Sequence, residues 1–242
     1  FSAVNLNDLV EERINQCYEK YGAGILIFGD SHATSLYHSL VGNVENDDIL
    51  FLMGITKNGC HLPTDDTGCQ YGELLRFLQV NPGKLETLIY EKAGYLMLNF
   101  YPTRDNLRSL NATVATIKHQ TIRGVSDYLL KLAKHSNVIW FGPRIEPLVD
   151  EKELYHRTCN FKYLPNDVHI KSYTQLDDYI IKNLTDSEIS YISQNASYQF
   201  TFPRDFGSCD GLYWMDRNHF SRLGEIEFGN RFNLIRQVKR SK

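Results

Sequence analysis

The sequence has no long hydrophobic run and almost no net charge. Its longest apolar stretches, such as ILFLM and YLML, fall well short of the roughly 18 residues that a membrane-spanning helix needs, so no transmembrane helix is expected. The 26 Lys and Arg residues against 29 Asp and Glu give a net charge of −3, which disfavours nucleic-acid binding. The chain also lacks an initiator Met and a readable signal peptide, which is compatible with a piece cut from a larger protein.

No internal repeat, low-complexity tract or long linker interrupts the 242 residues, so one large α/β domain is expected. Residues 1–21 are set apart as an N-terminal helical extension or linker, and residues 22–242 form the main domain. Apolar residues recur at three-to-four-residue spacing in the first segment, which predicts an amphipathic helix. These residues are Leu6, Leu9, Val10, Ile14 and Cys17.

Five short runs rich in β-branched and aromatic residues have the length of buried strands. They are GILIFG (24–29), DILFLMGI (48–55), YLMLNFY (95–101), NVIWFGP (137–143) and SYQFTFP (197–203). Helical patterns cover 107–135 and 223–240. This alternation predicts a mainly parallel five-stranded sheet covered on both faces, with the chemistry beyond the carboxyl ends of the strands.

A serine lies at the end of the first predicted strand, where GILIFGDSHATSLYHSL places Gly29, Asp30 and Ser31 before a segment that can start a helix. A Ser on such a turn projects its hydroxyl from the sheet edge, and the helix N-terminus offers N–H groups and a positive dipole end to an oxyanion. Ser31 is therefore a candidate nucleophile. The alternative is that Ser31 only caps the helix, since Gly-Asp-Ser is a short string.

A candidate base lies near the other end of the chain, in LYWMDRNHFSRLG. Asp216 and His219 are three residues apart, and Ser221 is a candidate helix cap. A nucleophilic hydroxyl needs a base, and the base needs an acceptor on its other ring nitrogen. The alternative for this pair is a local hydrogen bond that closes a loop. The two motifs together favour a Ser31–His219–Asp216 triad.

The string GDSH after the first strand and the string D-x-x-H before the last helix resemble those of the SGNH/GDSL hydrolase superfamily. More narrowly, the strings GDSHA, YWMDRNHFS and GPRIEP resemble the extracytoplasmic SGNH domain fused to family 3 membrane acyltransferases, as do the cysteines after the second strand. Those proteins O-acylate, mostly O-acetylate, bacterial surface polysaccharides such as lipopolysaccharide O-antigen. The resemblance implies a three-layer α/β/α flavodoxin-like SGNH fold, a catalytic domain over residues 22–242, and Ser31 as nucleophile, His219 as base and Asp216 as its orienter.

The superfamily also implies an oxyanion hole, built from the N–H of the nucleophile, a Gly after the second strand and an Asn after the third. Gly59, in TKNGC, fits the glycine, although a plain turn glycine is equally compatible with that string. The usual G-x-N-D string is missing. Asn99 is the candidate, with Asn106 as the alternative; if neither serves, the hole rests on Ser31 and Gly59.

The compartment implied by the resemblance is an oxidising periplasm, which bears on the five cysteines. We predict disulfides between Cys60 and Cys69 and between Cys159 and Cys209, with Cys17 left over. Cysteine count alone leaves open that all five are reduced in a cytosol.

The remaining histidines and cysteines give little support for a metal site. Cys60, His61 and Cys69 lack a fourth ligand with zinc spacing, so no metal is predicted. His32 adjoins the nucleophile and is expected to be a packing or rim residue. The other histidines lack partner spacing and are expected at the surface or in loops: His38, His119, His135, His156 and His169.

The leading functional hypothesis is transfer of an O-acyl group, in the first place O-acetyl, to a carbohydrate hydroxyl through an acyl-serine at Ser31. A carbohydrate or lipid esterase is the first alternative, and a catalytically silent domain that binds glycan or a partner is the second. The resemblance implies a periplasmic domain tethered to the inner membrane through a parent protein. It further implies an acyl donor delivered by a membrane acyltransferase domain, a polysaccharide acceptor and no cofactor.

Overall fold

The computed structural model describes residues 2–3, 6–42, 51–57, 69, 71–99, 115–147, 167–232, 234 and 238. The strands in these residues are β1 (Ser2–Ala3), β2 (Gly24–Gly29), β3 (Leu52–Thr56), β4 (Leu85–Glu91), β5 (Asn137–Phe141), β6 (Ile189–Ile192), β7 (Gly207–Ser208) and β8 (Gly211–Leu212). The α-helices are α1 (Asp8–Tyr21), α2 (Ser31–Gly42), α3 (Tyr71–Val80), α4 (His119–Ala133), α5 (Asp167–Leu184), α6 (Gln194–Tyr198) and α7 (Arg222–Arg231).

A parallel sheet forms the centre of the molecule, in the order β1-β3-β2-β4-β5-β6. β1 contributes only two residues, so five strands of four to seven residues build the sheet. β7 and β8 form a separate antiparallel pair. The predicted α/β class and mainly parallel five-stranded sheet are confirmed. In the described part of the chain, no helix is long and apolar enough to cross a membrane.

Helices cover both faces of the sheet because successive strand residues point to opposite sides. Leu88 and Tyr90 of β4 lie in a core with residues of α1, α3, α4 and α5. Ile89, between them, lies in a second core with residues of α2, α6 and α7. The same alternation recurs in β2 and β5, so all three central strands are buried on both sides, as in the predicted three-layer arrangement.

Two of the predicted strands are wrong. The run 95–101 begins in a 3₁₀ helix, Gly94–Met97, and the strand of that region is β4, earlier in the chain. The run 197–203 begins at the end of α6, and the edge strand is β6. Tyr198, Phe200 and Phe202 instead pack with other aromatic rings in the second core. A short apolar run can form a strand or another partly buried segment, and periodicity alone does not distinguish the two.

The N-terminal helix forms where predicted. Asn7 caps it, with its side-chain oxygen accepting the Val10 amide at 3.1 Å. Val10 and Ile14 lie in the same core as the sheet, whereas Leu9, which the spacing placed on the inner face, is 75% exposed. Because α1 shares that core, it is part of the helical layer on that face of the sheet. The division of the chain at residue 21 stays a prediction.

The cysteines can be described in part. Cys17 is a free thiol, whereas Cys69 and Cys209 are disulfide-bonded. Cys60 and Cys159 lie outside the described residues. The pairings Cys60–Cys69 and Cys159–Cys209 therefore stay predictions.

Candidate active site

Ser31 is the first residue of α2, directly after the turn that follows β2. The buried carboxylate of Asp30 shapes this turn: its Oδ1 accepts the His32 amide at 2.9 Å and its Oδ2 accepts the Ala93 amide at 3.0 Å. Asp30 therefore supplies the helix cap, and it ties the serine turn to the segment after β4. Burial raises the pKa of Asp30, although the nearby Lys92 ammonium and the two amides oppose that shift.

Gly29 ends β2 with a positive φ of 144°, and a Cβ at this position would lie 1.9 Å from the carbonyl oxygen of Glu91. We expect Gly29→Ala to lower the free energy of unfolding by at least about 2 kcal/mol, because strain and overpacking act together. Chemical denaturation monitored by circular dichroism measures this. Gly72→Ala in α3 is the matched control, since a Cβ there meets nothing within 4 Å; it should be neutral or stabilising. Equal stability of the two variants would contradict the packing argument.

The segment that carries His219 is a short loop closed at both ends. Trp214 and Phe220 form an isolated antiparallel bridge, and the Met215 amide donates to the His219 carbonyl at 2.9 Å. Inside the loop, Asp216 Oδ1 accepts the amides of Asn218 at 3.0 Å and His219 at 2.8 Å. Immediately after the loop, Ser221 caps α7 by accepting the Gly224 amide, which confirms the prediction for that residue.

The three predicted triad residues meet in one hydrogen-bonded chain. His219 Nε2 lies 2.7 Å from Ser31 Oγ, and His219 Nδ1 lies 2.7 Å from Asp216 Oδ2. The side chains of His219 and Asp216 are 25% and 36% exposed, so the chain of groups lies at the surface of the sheet edge. Burial raises the pKa of Asp216, but hydrogen bonds from the His219 ring and two backbone amides outweigh that effect, and its pKa is lowered overall. Asp216 is thereby kept anionic opposite the imidazole.

No known family profile matches the sequence, and no curated protein does. Among solved structures, the periplasmic domain of a lipopolysaccharide acetyltransferase from Salmonella ser. Paratyphi A is 16% identical, with a TM-score of 0.54. That alignment covers 94% of this chain and 88% of the other. The chain shares an SGNH/GDSL hydrolase-like fold with that domain, and at this identity the likeness shows the fold alone.

Two esterases with lower scores were also found. An aryl esterase from M. smegmatis, in an inhibitor-bound form, is 12% identical with a TM-score of 0.49, covering 90% of this chain and 98% of that one. A carbohydrate acetylesterase family member from Sinorhizobium meliloti is 10% identical with a TM-score of 0.47, covering 89% and 98%.

The predicted oxyanion residues are described only in part. The N–H of Ser31 lies in the first turn of α2, where helix amides have no acceptor within the helix. Asn99 is exposed, and its side-chain amide donates to Thr116 Oγ1 at 2.9 Å. Gly59 and Asn106 lie outside the described residues. The roles of Asn99 and Gly59 in an oxyanion hole stay predictions.

A buried polar network lies beneath the His219 loop, and it was not predicted from the sequence. Arg144, in GPRIEP, donates from Nη1 to Glu91 Oε1 at 2.7 Å, and both side chains are 1% exposed. Gln194 Nε2 donates to the same oxygen at 2.7 Å. Burial raises the pKa of Glu91, and the Arg144 charge and the hydrogen bond from Gln194 oppose that shift and favour the carboxylate. One signal in the sequence could have revealed this network. It is the charged residue Glu91 at the end of the apolar strand LETLIYE.

The second carboxylate of this region is Glu146, also in GPRIEP. It is fully buried, and its Oε1 accepts the Tyr95 amide at 3.2 Å. Burial raises the pKa of Glu146 to about 7, with the Tyr95 amide opposing. Both charged residues of GPRIEP, Arg144 and Glu146, thus form hydrogen bonds with residues at or shortly after the end of β4.

Two histidines outside the triad are buried. His32 packs edge-on against the His219 ring at 5.3 Å between centroids, which agrees with a packing role; burial, then the Arg144 charge, holds its pKa well below the usual value. His169 was predicted at the surface, and this is wrong: it is 5% exposed in α5, and burial lowers its pKa to about 4. Among the described residues, no cluster of His, Cys, Asp and Glu is arranged to hold a metal ion.

Proposed function

We propose that this chain is a serine-dependent O-acyltransferase in which Ser31 carries an acyl group, in the first place acetyl, to a carbohydrate hydroxyl. The observation that carries the proposal is the continuous chain from Ser31 Oγ through both ring nitrogens of His219 to Asp216. It joins residues 188 positions apart, at the carboxyl edge of a parallel sheet, where catalytic sites of such sheets lie.

In the first half-reaction, His219 Nε2 takes the proton of Ser31 while Oγ attacks the acyl carbonyl of the donor. The resulting oxyanion lies near the N-terminus of α2, where the helix dipole and the Ser31 N–H stabilise negative charge. Collapse breaks the bond to the leaving group, which receives the proton from His219. Asp216 holds the imidazole in the tautomer that accepts at Nε2 and stabilises the imidazolium between these steps.

In the second half-reaction, His219 takes a proton from a sugar hydroxyl, whose oxygen attacks the acyl carbon of the acyl-serine. The ester bond to Ser31 breaks, and its oxygen recovers the proton from His219. The likeness to the lipopolysaccharide acetyltransferase periplasmic domain supports a polysaccharide acceptor and a periplasmic location. We further propose that a membrane acyltransferase domain in a parent protein supplies the acyl group, so that the chain itself needs no cofactor.

Hydrolysis is the second candidate, because the described site is open to water. His219 and Asp216 keep a quarter and about a third of their side-chain surface exposed. Water that reaches the acyl-serine would be activated by His219 in the same way as a sugar hydroxyl. A carbohydrate or lipid esterase therefore uses identical groups, and only the acceptor differs.

A fluorophosphonate probe with intact-mass readout tests the common core of both activities. The probe phosphonylates a serine hydroxyl that a neighbouring base activates, so we expect one adduct per chain, on Ser31. Ser31→Ala should give no adduct. Ser35→Ala, a buried serine one turn further along α2, is the control and should be labelled as fast as the unmodified chain. An unlabelled native chain would overturn the proposal in favour of a binding domain.

A further inference from the structure

One side of the Arg144 guanidinium contacts the His219 loop. Its Nη2 donates to the carbonyl oxygen of Asn218 at 3.2 Å, and its guanidinium carbon lies 4.0 Å from the centroid of the Phe220 ring. Asn218 and Phe220 are the two neighbours of His219 in sequence. One planar group thus contacts the chain on both sides of the proposed base.

The other side of Arg144 is fixed to the sheet. Its partner Glu91 is the last residue of β4, and Glu91 is held in turn by Gln194, the first residue of α6. Gln194 Nε2 also donates to the Gly142 carbonyl, directly after β5. Arg144 therefore bridges a rigid, fully buried anchor at the carboxyl ends of the central strands and a loop that is partly exposed.

The turn that carries Ser31 is bonded to the end of the same strand, β4. Asp30 Oδ2 accepts the amide of Ala93, two residues beyond Glu91, and Gly29 pairs with Glu91 in the sheet register. Ser31 from one end of the sequence and His219 from the other are thus both positioned against the end of β4. A shift of either half changes the 2.7 Å separation between Ser31 Oγ and His219 Nε2.

We propose that Arg144 is a positioning residue that holds the His219 loop at reacting distance from Ser31. The inference rests on the proposed function of that triad and adds to it a residue that touches no reacting atom. Arginine suits this role because its planar fork can bond a carboxylate and a carbonyl at once while stacking on an aromatic ring. Lysine has the charge for Glu91 but neither the fork nor the flat face.

Arg144→Lys is therefore the sharpest test. It retains a cation beside Glu91, so it should lower the melting temperature less than Arg144→Met does, while kcat for an aryl acetate should fall about 10- to 100-fold, as misplacement of a catalytic group by about 1 Å does. KM should stay within about twofold of its original value, because the substrate does not contact Arg144. The rate of fluorophosphonate labelling of Ser31 should fall in parallel with kcat. Arg144→Met should show the same kinetic loss with a lower melting temperature.

The matched control is a second arginine that bonds a buried carboxylate and lies over an aromatic ring. Arg231 pairs bidentately with the buried carboxylate of Asp205, with both hydrogen bonds at 2.8 Å. Its guanidinium carbon lies 4.9 Å from the centroid of the Phe228 ring. Within the described residues, Arg231 forms no hydrogen bond to the His219 loop. Arg231→Lys and Arg231→Met should leave kcat and the labelling rate of folded protein unchanged, and Arg231→Met should lower the melting temperature.

The outcomes separate the two proposals. If the unmodified chain is not labelled at Ser31, the proposed function fails and the role of Arg144 fails with it. If the unmodified chain is labelled and Arg144→Lys reacts at the same rate, only the positioning role is refuted. A kinetic loss of the same size in the Arg231 variants would also refute it, because the effect would then follow general loss of stability.

Discussion

Turnover of a small aryl acetate should fall at least about 1000-fold in Ser31→Ala and in His219→Ala. Each change removes a group from the same proton-transfer chain, and the remaining members cannot replace it. For that reason the double variant should be hardly slower than either single variant. Initial rates at saturating ester, with folding checked by circular dichroism, measure the effect.

Each of these two variants has a matched control on α2. Ser35→Ala removes a buried hydroxyl, and His38→Ala removes an exposed imidazole that contacts Glu225 at 3.2 Å. Both should stay within about twofold of the native rate, because neither contacts the triad. Undiminished turnover in Ser31→Ala would overturn the acyl-serine mechanism.

The proposed triad is the part of the candidate site for which the sequence carried the clearest local signals. Ser31 was placed by a strand-to-helix transition, and Asp216 and His219 were placed by their spacing in one loop. Both signals depend only on residues that are close together in the sequence, so they can be recognised without knowledge of the tertiary structure. That the two segments meet does not follow from spacing. It was inferred first from the complementary chemistry of the two motifs and then from their likeness to a superfamily, and in the structure His219 lies 2.7 Å from both Ser31 Oγ and Asp216 Oδ2.

The network beneath the triad was missed for a related physical reason. β4 carries Glu86, Thr87 and Glu91, so LETLIYE is less apolar than the run YLMLNFY that follows it. Thr87 and Glu91 are nevertheless fully buried. Glu91 is tolerated in the interior because Arg144 and Gln194, from two later segments, bond to it. Such long-range compensation leaves no periodic signal in the strand itself.

Acetyl transfer to a polysaccharide should depend on a membrane partner, and this is the second large effect that we expect. The sequence shows no Gly-rich phosphate loop and no clustered basic site for the phosphates of acetyl-coenzyme A. The 242-residue chain with acetyl-coenzyme A and O-antigen should therefore give little acetylated sugar. Supplying a family 3 membrane acyltransferase domain should raise the yield at least about 100-fold, because a delivered donor reaches Ser31 at high effective concentration.

In this experiment an activated ester distinguishes the lack of an acyl donor from the lack of catalytic activity at Ser31. An aryl acetate has a good leaving group and needs little help from the oxyanion hole, so the chain alone should hydrolyse it slowly, with or without the membrane domain. Ser31→Ala in the reconstituted mixture is the control, and it should abolish acetylation of the sugar. Efficient transfer from acetyl-coenzyme A by the chain alone would refute the partner requirement. It would mean that Ser31 and His219 serve a self-sufficient transferase, with a donor site built from residues that the sequence analysis did not identify.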